Sequence, residues 1–142
     1  MVDTLTPQER SVRMGRIRGK DTAVELSLRR ELHRLGLRYR LHVAGLPGKP
    51  DMVLRRHRAV VFVHGCFWHR HANCKIATTP KSNTRFWLEK FERNVVRDRE
   101  TQATLEELGW RVFVVWECEL SVDKRRTSAM NLADKIRAPG SR

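Results

Sequence analysis

Cys66, His71 and Cys74 fall within nine residues, and Cys118 follows a distant apolar run. Three thiolates and one imidazole are the soft and borderline ligands that fill a tetrahedral zinc shell. Four protein ligands leave no open position, so such a zinc holds structure and does not activate water. The chain has three cysteines. An odd count with no export signal argues against a disulfide framework. The other use of free cysteines, as small buried hydrophobes, suits a polar loop poorly. The His-x-Glu and Pro-Cys-x-x-Cys signature of the zinc deaminases is absent.

If zinc is structural, hydrolytic chemistry has to come from hard oxygen ligands and histidines. Pro50-Asp51 opens a strand pattern, and His64 closes the next one. An aspartate at a strand end is where nucleases hold magnesium against a phosphate, although a solvated turn residue after proline fits the position equally well. Asp98 shares a helical face with Leu88, Phe91, Val95, Gln102 and Leu105. A carboxylate in that stripe needs a partner, either His64 or His69 as an oriented imidazole, or Arg111 in a plain ion pair. Glu25 stands at capping-box spacing from Thr22, which favours a cap role on spacing alone. Phe67-Trp68 and Phe86-Trp87 flank these residues and suit stacking on bases, whereas Trp110 and Trp116 read as core.

The elements that must carry these groups follow from periodicity. Val24, Leu28, Leu32 and Leu35 form one helical stripe that stops at Gly36. Leu37, Tyr39, Leu41 and Val43 alternate with polar residues, which predicts a half-buried strand. Residues 44–50 are a Gly/Pro loop, 51–54 a short strand and 55–58 a basic turn. Ala59–Val63 is an apolar run typical of a strand buried on both faces, and 110–116 (WRVFVVW) reads the same way. Helices are expected over about 84–108 and 128–137, with a functional loop over 65–83. The expected fold is α/β, a mixed central sheet flanked by helices. It comprises a basic arm over 1–20, a single domain over 21–138 and a tail over 139–142.

The 142 residues include 29 Lys+Arg and 16 Asp+Glu, a formal net charge of +13 with pI near 11.0. That excess is the footprint of a polyanion, with the arm, the 55–58 turn and the long helix expected to hold a duplex backbone. No apolar run approaches the roughly 20 residues of a spanning helix, so no membrane partner is expected.

Taken together, these segments resemble the very-short-patch-repair (Vsr) mismatch endonucleases, a branch of the PD-(D/E)xK restriction-endonuclease-like fold. The likeness is carried by Leu46-Pro47-Gly48-Lys49-Pro50-Asp51, by Val63-His64-Gly65-Cys66-Phe67-Trp68-His69, by Phe86-Trp87-Leu88-Glu89-Lys90 with Asn94 and Arg97-Asp98-Arg99, and by Gly109–Val112 through Trp116-Glu117-Cys118. The wider fold's acidic-x-Lys triplet is replaced by Phe62-Val63-His64. The resemblance implies a magnesium-dependent endonuclease with a structural zinc that nicks one strand beside the thymine of a T:G mismatch. It implies Asp51 and the Val63 carbonyl on magnesium, His64 and His69 as catalytic histidines, and Asp98 and Glu25 as supporting acids. It makes Cys66, His71, Cys74 and Cys118 the zinc ligands, and Met14, Phe67, Trp68, Trp87, Lys90 and Asn94 the DNA-binding residues. His69 is the favoured general base, with His64 oriented by Asp98. A DNA cytosine methyltransferase is the implied genetic companion and mismatch-repair proteins are further partners, for a monomer in the bacterial cytoplasm, on the nucleoid when bound to DNA. A same-fold nuclease of other DNA specificity and a non-catalytic zinc-stapled DNA-binding module are the rival readings.

Overall fold

The computed structural model describes residues 22–138. The expected arm with Met14 and the tail therefore lie outside the described residues. The order is α1 (Ala23–Arg34), β1 (Met52–Leu54), a 3-10 turn (Arg55–His57), β2 (Ala59–His64), α2 (Thr84–Glu107), β3 (Arg111–Trp116), a second 3-10 turn (Glu117–Leu120) and α3 (Arg125–Arg137). The strands form a mixed sheet in the order β1-β2-β3. β1 is antiparallel to β2, with Met52 opposite Val61. β3 runs parallel to β2, with His64 opposite Trp116.

Period-2 alternation decides which face each residue takes. Met52, Leu54, Ala59, Val61 and Val115 face α1 and α3, where they pack with Leu28, Leu32, Leu132 and Ile136. Burial of each such leucine or isoleucine contributes about 1.5–3 kcal/mol. Val53, Val60 and Phe62 face α2 and pack with Leu105. Extending the alternation by one step puts Asp51, His64 and Trp116 on the α2 side as well. Any chemistry they share is thus confined to the space between sheet and α2.

Several expectations need correcting. Residues 37–43 keep their alternating exposure but form only one bridge, Arg40 with Val53. His42 takes a left-handed φ of 54°, which ends the extended run. β3 is half-buried over most of its length, because it lies at the edge of the described sheet. α3 begins three residues earlier than expected. The packed face of α2 runs through Phe91, Asn94, Asp98 and Leu105, and Leu88 points outward at 51% exposure.

Among the described residues, the C-termini of the three helices collect at the pole where β2 and β3 begin, and each is met by an arginine. Arg137 donates to Leu35 O, Arg58 Nη2 to Leu108 O at 3.1 Å, and Arg111 to the carbonyls of Lys135, Ile136 and Ala138 at 3.3, 2.7 and 3.0 Å. Guanidinium groups there satisfy orphan carbonyls and complement the negative helix ends. Arg111 is consequently not the partner of Asp98. The 55–58 turn lies here too, roughly 17 Å along β2 from His64. Its Arg55 and Arg56 are exposed at this pole and do not line the cavity between the sheet and α2.

Candidate active site and metal centre

β2 and β3 end side by side, and their continuations carry Cys66 and Cys118. The Cys66 N–H donates to Glu117 Oε1 at 2.9 Å, which ties the two strand exits together. The loop then turns back, the His71 N–H donating to Cys66 O at 3.1 Å, and delivers the third and fourth ligands. His71 Nδ1 lies 3.6 Å from Cys66 Sγ and 3.4 Å from Cys118 Sγ. The ligand atoms of Cys66, His71, Cys74 and Cys118 all fall within 4.8 Å of one another. A tetrahedral zinc with Zn–S of about 2.3 Å and Zn–N of about 2.0 Å requires N···S edges of about 3.6 Å, so the cluster fits a structural zinc. Burial pushes the Cys66 thiol up to about 12, so a cation is what would make it a ligand.

On the α2 side of the sheet, Glu25, Asp51, Val63, His64, His69 and Asp98 border one cavity of about 550 Å³. His69 Nδ1 donates to Asp98 Oδ2 at 2.6 Å. Asp98 therefore orients His69 and not His64, and it leaves His69 Nε2 as the basic nitrogen. His64 stacks on His69, with ring centroids 3.9 Å apart and planes 6° from parallel. Burial, then the neighbouring imidazole, lowers His64 to about 4, so it is neutral at physiological pH.

Across the cavity, Asp51 Oδ2 accepts the Val63 N–H at 2.6 Å. Burial raises the Asp51 carboxyl from an ordinary 3.8 to about 7, opposed by the Val63 hydrogen bond and reinforced by nearby Glu25. Thr22 Oγ1 does cap α1 by accepting the Glu25 N–H at 3.2 Å. The Glu25 carboxylate is 6% exposed and pairs with Arg29 at 3.2 Å, beside Asp51. Glu25 and Asp51 bring hard carboxylate oxygens to one cavity, and such oxygens fit a divalent cation. Gly48 closes the rim with φ +72°. A Cβ there would meet Thr101 Cγ2 at 2.2 Å.

Phe67, Trp68, Trp87 and Phe91 form one cluster of edge-to-face and tilted ring contacts, with centroids 5.1–6.4 Å apart. Trp68 is 6% exposed, whereas Phe67 and Trp87 are half-buried and Phe86 is open. The expected base-stacking set is thus already packed against itself, with Lys90 Nζ 5.1 Å above Trp68 and 5.8 Å from Trp87. Asn94 is buried and its Nδ2 donates to Trp68 O at 3.5 Å, so this residue supports the cluster from below.

Sequence reasoning missed Trp116. It stacks on His71 at 4.3 Å and meets His64 edge-on at 5.3 Å, forming a wall shared by both clusters. Its period-2 relation to Val112 and Val114 puts it on the α2 face, but only the strand register places it opposite His64. Lys49 also lines the cavity, from a left-handed φ of 50°. A single lysine in a Gly/Pro loop carries no pattern that would single it out.

The family described as "DNA mismatch endonuclease Vsr" matches residues 2–75. The chain is 49% identical to the type II nicking enzyme V.XorIIP of Xanthomonas oryzae pv. oryzae, over 85% of this chain and 88% of that one. It is 48% identical to the DNA mismatch endonuclease Vsr of Escherichia coli, over 84% and 76%. It is 47% identical to the type II nicking enzyme V.NmeAIP of Neisseria meningitidis, over 84% and 85%.

Proposed function

The chain belongs to the Vsr family of PD-(D/E)xK-fold nucleases, and from that premise we propose that it nicks one strand of duplex DNA with magnesium, at a T:G mismatch. The observation that carries a hydrolytic reading is the Asp98–His69 pair, at 2.6 Å, opening on the cavity that also holds Asp51 and Glu25. Asp51, Glu25 and the Val63 carbonyl would hold the cation, which when bound supplies charge neutralisation at the phosphate oxygens. His69 Nε2 takes the proton of the attacking water, and Asp98 holds the ring in the tautomer that permits it. His64 stays neutral and fixes the plane of His69 by stacking. Phe67 and Trp87 press on the base pairs, at an unstacking cost of a few kcal/mol that is least where pairing is already poor. That difference supplies a physical origin for mismatch preference.

A second reading has a specific observation behind it. Most of the similar proteins are named only as type II nicking enzymes. A nickase of broader or different DNA specificity uses the same cavity with a different fit of the aromatic cluster. A cytosine methyltransferase as genetic companion, mismatch-repair proteins as partners, a monomeric state and a place in the bacterial cytoplasm and nucleoid accompany the T:G reading as proposals. One duplex panel separates the readings. Nicking of T:G at least tenfold faster than of T:A and the other mismatches supports the first. Equal cutting supports the second, and binding without nicking in magnesium would leave a DNA-binding module.

A further inference from the structure

Residues 65–83 form a long loop without helix or strand, and the four thiol and imidazole ligands secure only its first half. In the second half, Thr84 Oγ1 donates to Pro80 O and Lys81 O at 3.1 Å each, and segment 77–79 is held by the side chain of Arg70. Arg70 Nη1 donates to Phe67 O at 3.1 Å and Thr78 O at 3.0 Å, while Nη2 donates to Ala77 O at 3.0 Å and Thr79 Oγ1 at 3.2 Å. The same guanidinium lies 4.0 Å over the ring of Phe91 and 5.7 Å from that of Phe67. Its backbone takes a left-handed φ of 55°, which a non-glycine residue adopts only when its surroundings require it. Arg70 thus ties three separate pieces to one plane: the backbone of Phe67, the outer segment 77–79, and α2 through Phe91.

We propose that Arg70 is a positioning residue that sets the aromatic wedge before DNA arrives, and thereby determines how strongly the protein distinguishes a weakly paired site. The proposal deepens the mismatch reading and rests on Phe67 and Trp87 meeting the bases. Phe67 touches Trp68, Phe91 and Trp87 at 5.1, 5.2 and 6.1 Å, so anchoring its carbonyl orients the half-buried edge of the whole cluster. A wedge held in its working geometry loses little freedom on entering the duplex, whereas a loose one loses that freedom on binding. Arginine suits this position because its flat fork serves two segments at once and still stacks. A lysine ammonium has neither the plane nor the span. The guanidinium's own contacts go to Phe67, residues 77–79 and Phe91, and because His69 and His71 flank Arg70 in the chain, zinc content is measured beside the wedge signal.

The test uses the full-length protein in zinc-replete, magnesium-free buffer, with duplexes carrying 2-aminopurine beside a T:G or T:A pair. The fluorescence rise at saturating protein reports unstacking by the wedge, and metal analysis reports zinc. The expected result is a clear rise with the wild type, one at least fivefold smaller with Arg70→Met, and less than half of the wild-type rise with Arg70→Lys, all at one zinc per chain. Affinity for the T:G duplex should fall about tenfold while affinity for T:A changes little. A full rise with Arg70→Met, an equal loss of affinity for both duplexes, or loss of zinc from both variants would overturn the proposal. No rise with the wild type on either duplex would also overturn it. Equal wild-type rises on T:G and T:A would instead refute the mismatch reading, while the contrast with Arg70→Met would still support the positioning role.

Discussion

Replacing Asp51 by asparagine should abolish nicking and at the same time stabilise the magnesium-free protein. The carboxyl is raised from 3.8 to about 7, chiefly by burial. The sign follows directly. A carboxyl with a folded-state pKa above its unfolded value binds its proton more tightly in the folded protein, so stability falls as pH rises between the two values. The span of about three pH units corresponds to a ceiling of about 4 kcal/mol at pH 8. Asparagine carries no charge into the cavity, and its amide oxygen stands in for the neutral carboxyl at the Val63 N–H, a bond whose effect on the carboxylate is already contained in the value of about 7. Asp51 is partly exposed, so solvent screening reduces the ceiling to a net gain of about 2 kcal/mol, or roughly 6 °C in Tm for a domain of this size. Thermal melts in zinc-replete buffer without magnesium should show the variant's advantage growing from near zero at pH 4 to its full value above pH 7. Magnesium should raise the Tm of the wild type and leave that of the variant unchanged. Nicking should fall by about 1,000-fold or more, as expected on losing several kcal/mol of charge stabilisation. A variant no more stable than the wild type at pH 8, or a difference that does not grow with pH, would refute the account of Asp51 as a buried carboxylate waiting for a cation.

Other outcomes follow from the same geometry. His69→Ala should lower the nicking rate by about 100-fold or more. Asp98→Asn should lower it by about 10–100-fold, with duplex affinity kept in both, as read by single-turnover nicking and a mobility-shift titration. Cys118→Ser should release zinc and cost at least about 3 kcal/mol, seen by metal analysis and by new proteolytic cleavage within residues 65–83. Gly48→Ala should destabilise by about 2–3 kcal/mol, because it combines a left-handed backbone with overpacking. Adding Thr101→Ser removes the methyl that a Cβ would meet at 2.2 Å and should recover the steric part in denaturant melts.

Much of this protein was legible in its residues. The Cys/His cluster that fits a zinc could be read from the residues, because thiol and imidazole chemistry narrows their use wherever the chain brings them together. The helices and the buried strand β2 could be read because apolar periodicity is local. The net charge of +13 signalled a polyanion, but it could not say which cations face it. Packing decided that: Arg58, Arg111 and Arg137 are taken up by helix ends at the far pole. The short extended segment at 37–43 kept its alternation yet made a single bridge, since strand identity depends on a partner and not on pattern alone.

Which side chains can ligate, titrate or stack is legible residue by residue, because those properties belong to each side chain alone. It takes the packed fold to show that Asp98 meets His69 rather than His64 or Arg111, that Trp116 walls both clusters, and that Arg70 holds segment 77–79. The first two depend on a register or crossover between segments far apart in the chain, and the third on how the loop folds back over α2. Those are settled by the packing of two sheet faces, which no short stretch of sequence specifies.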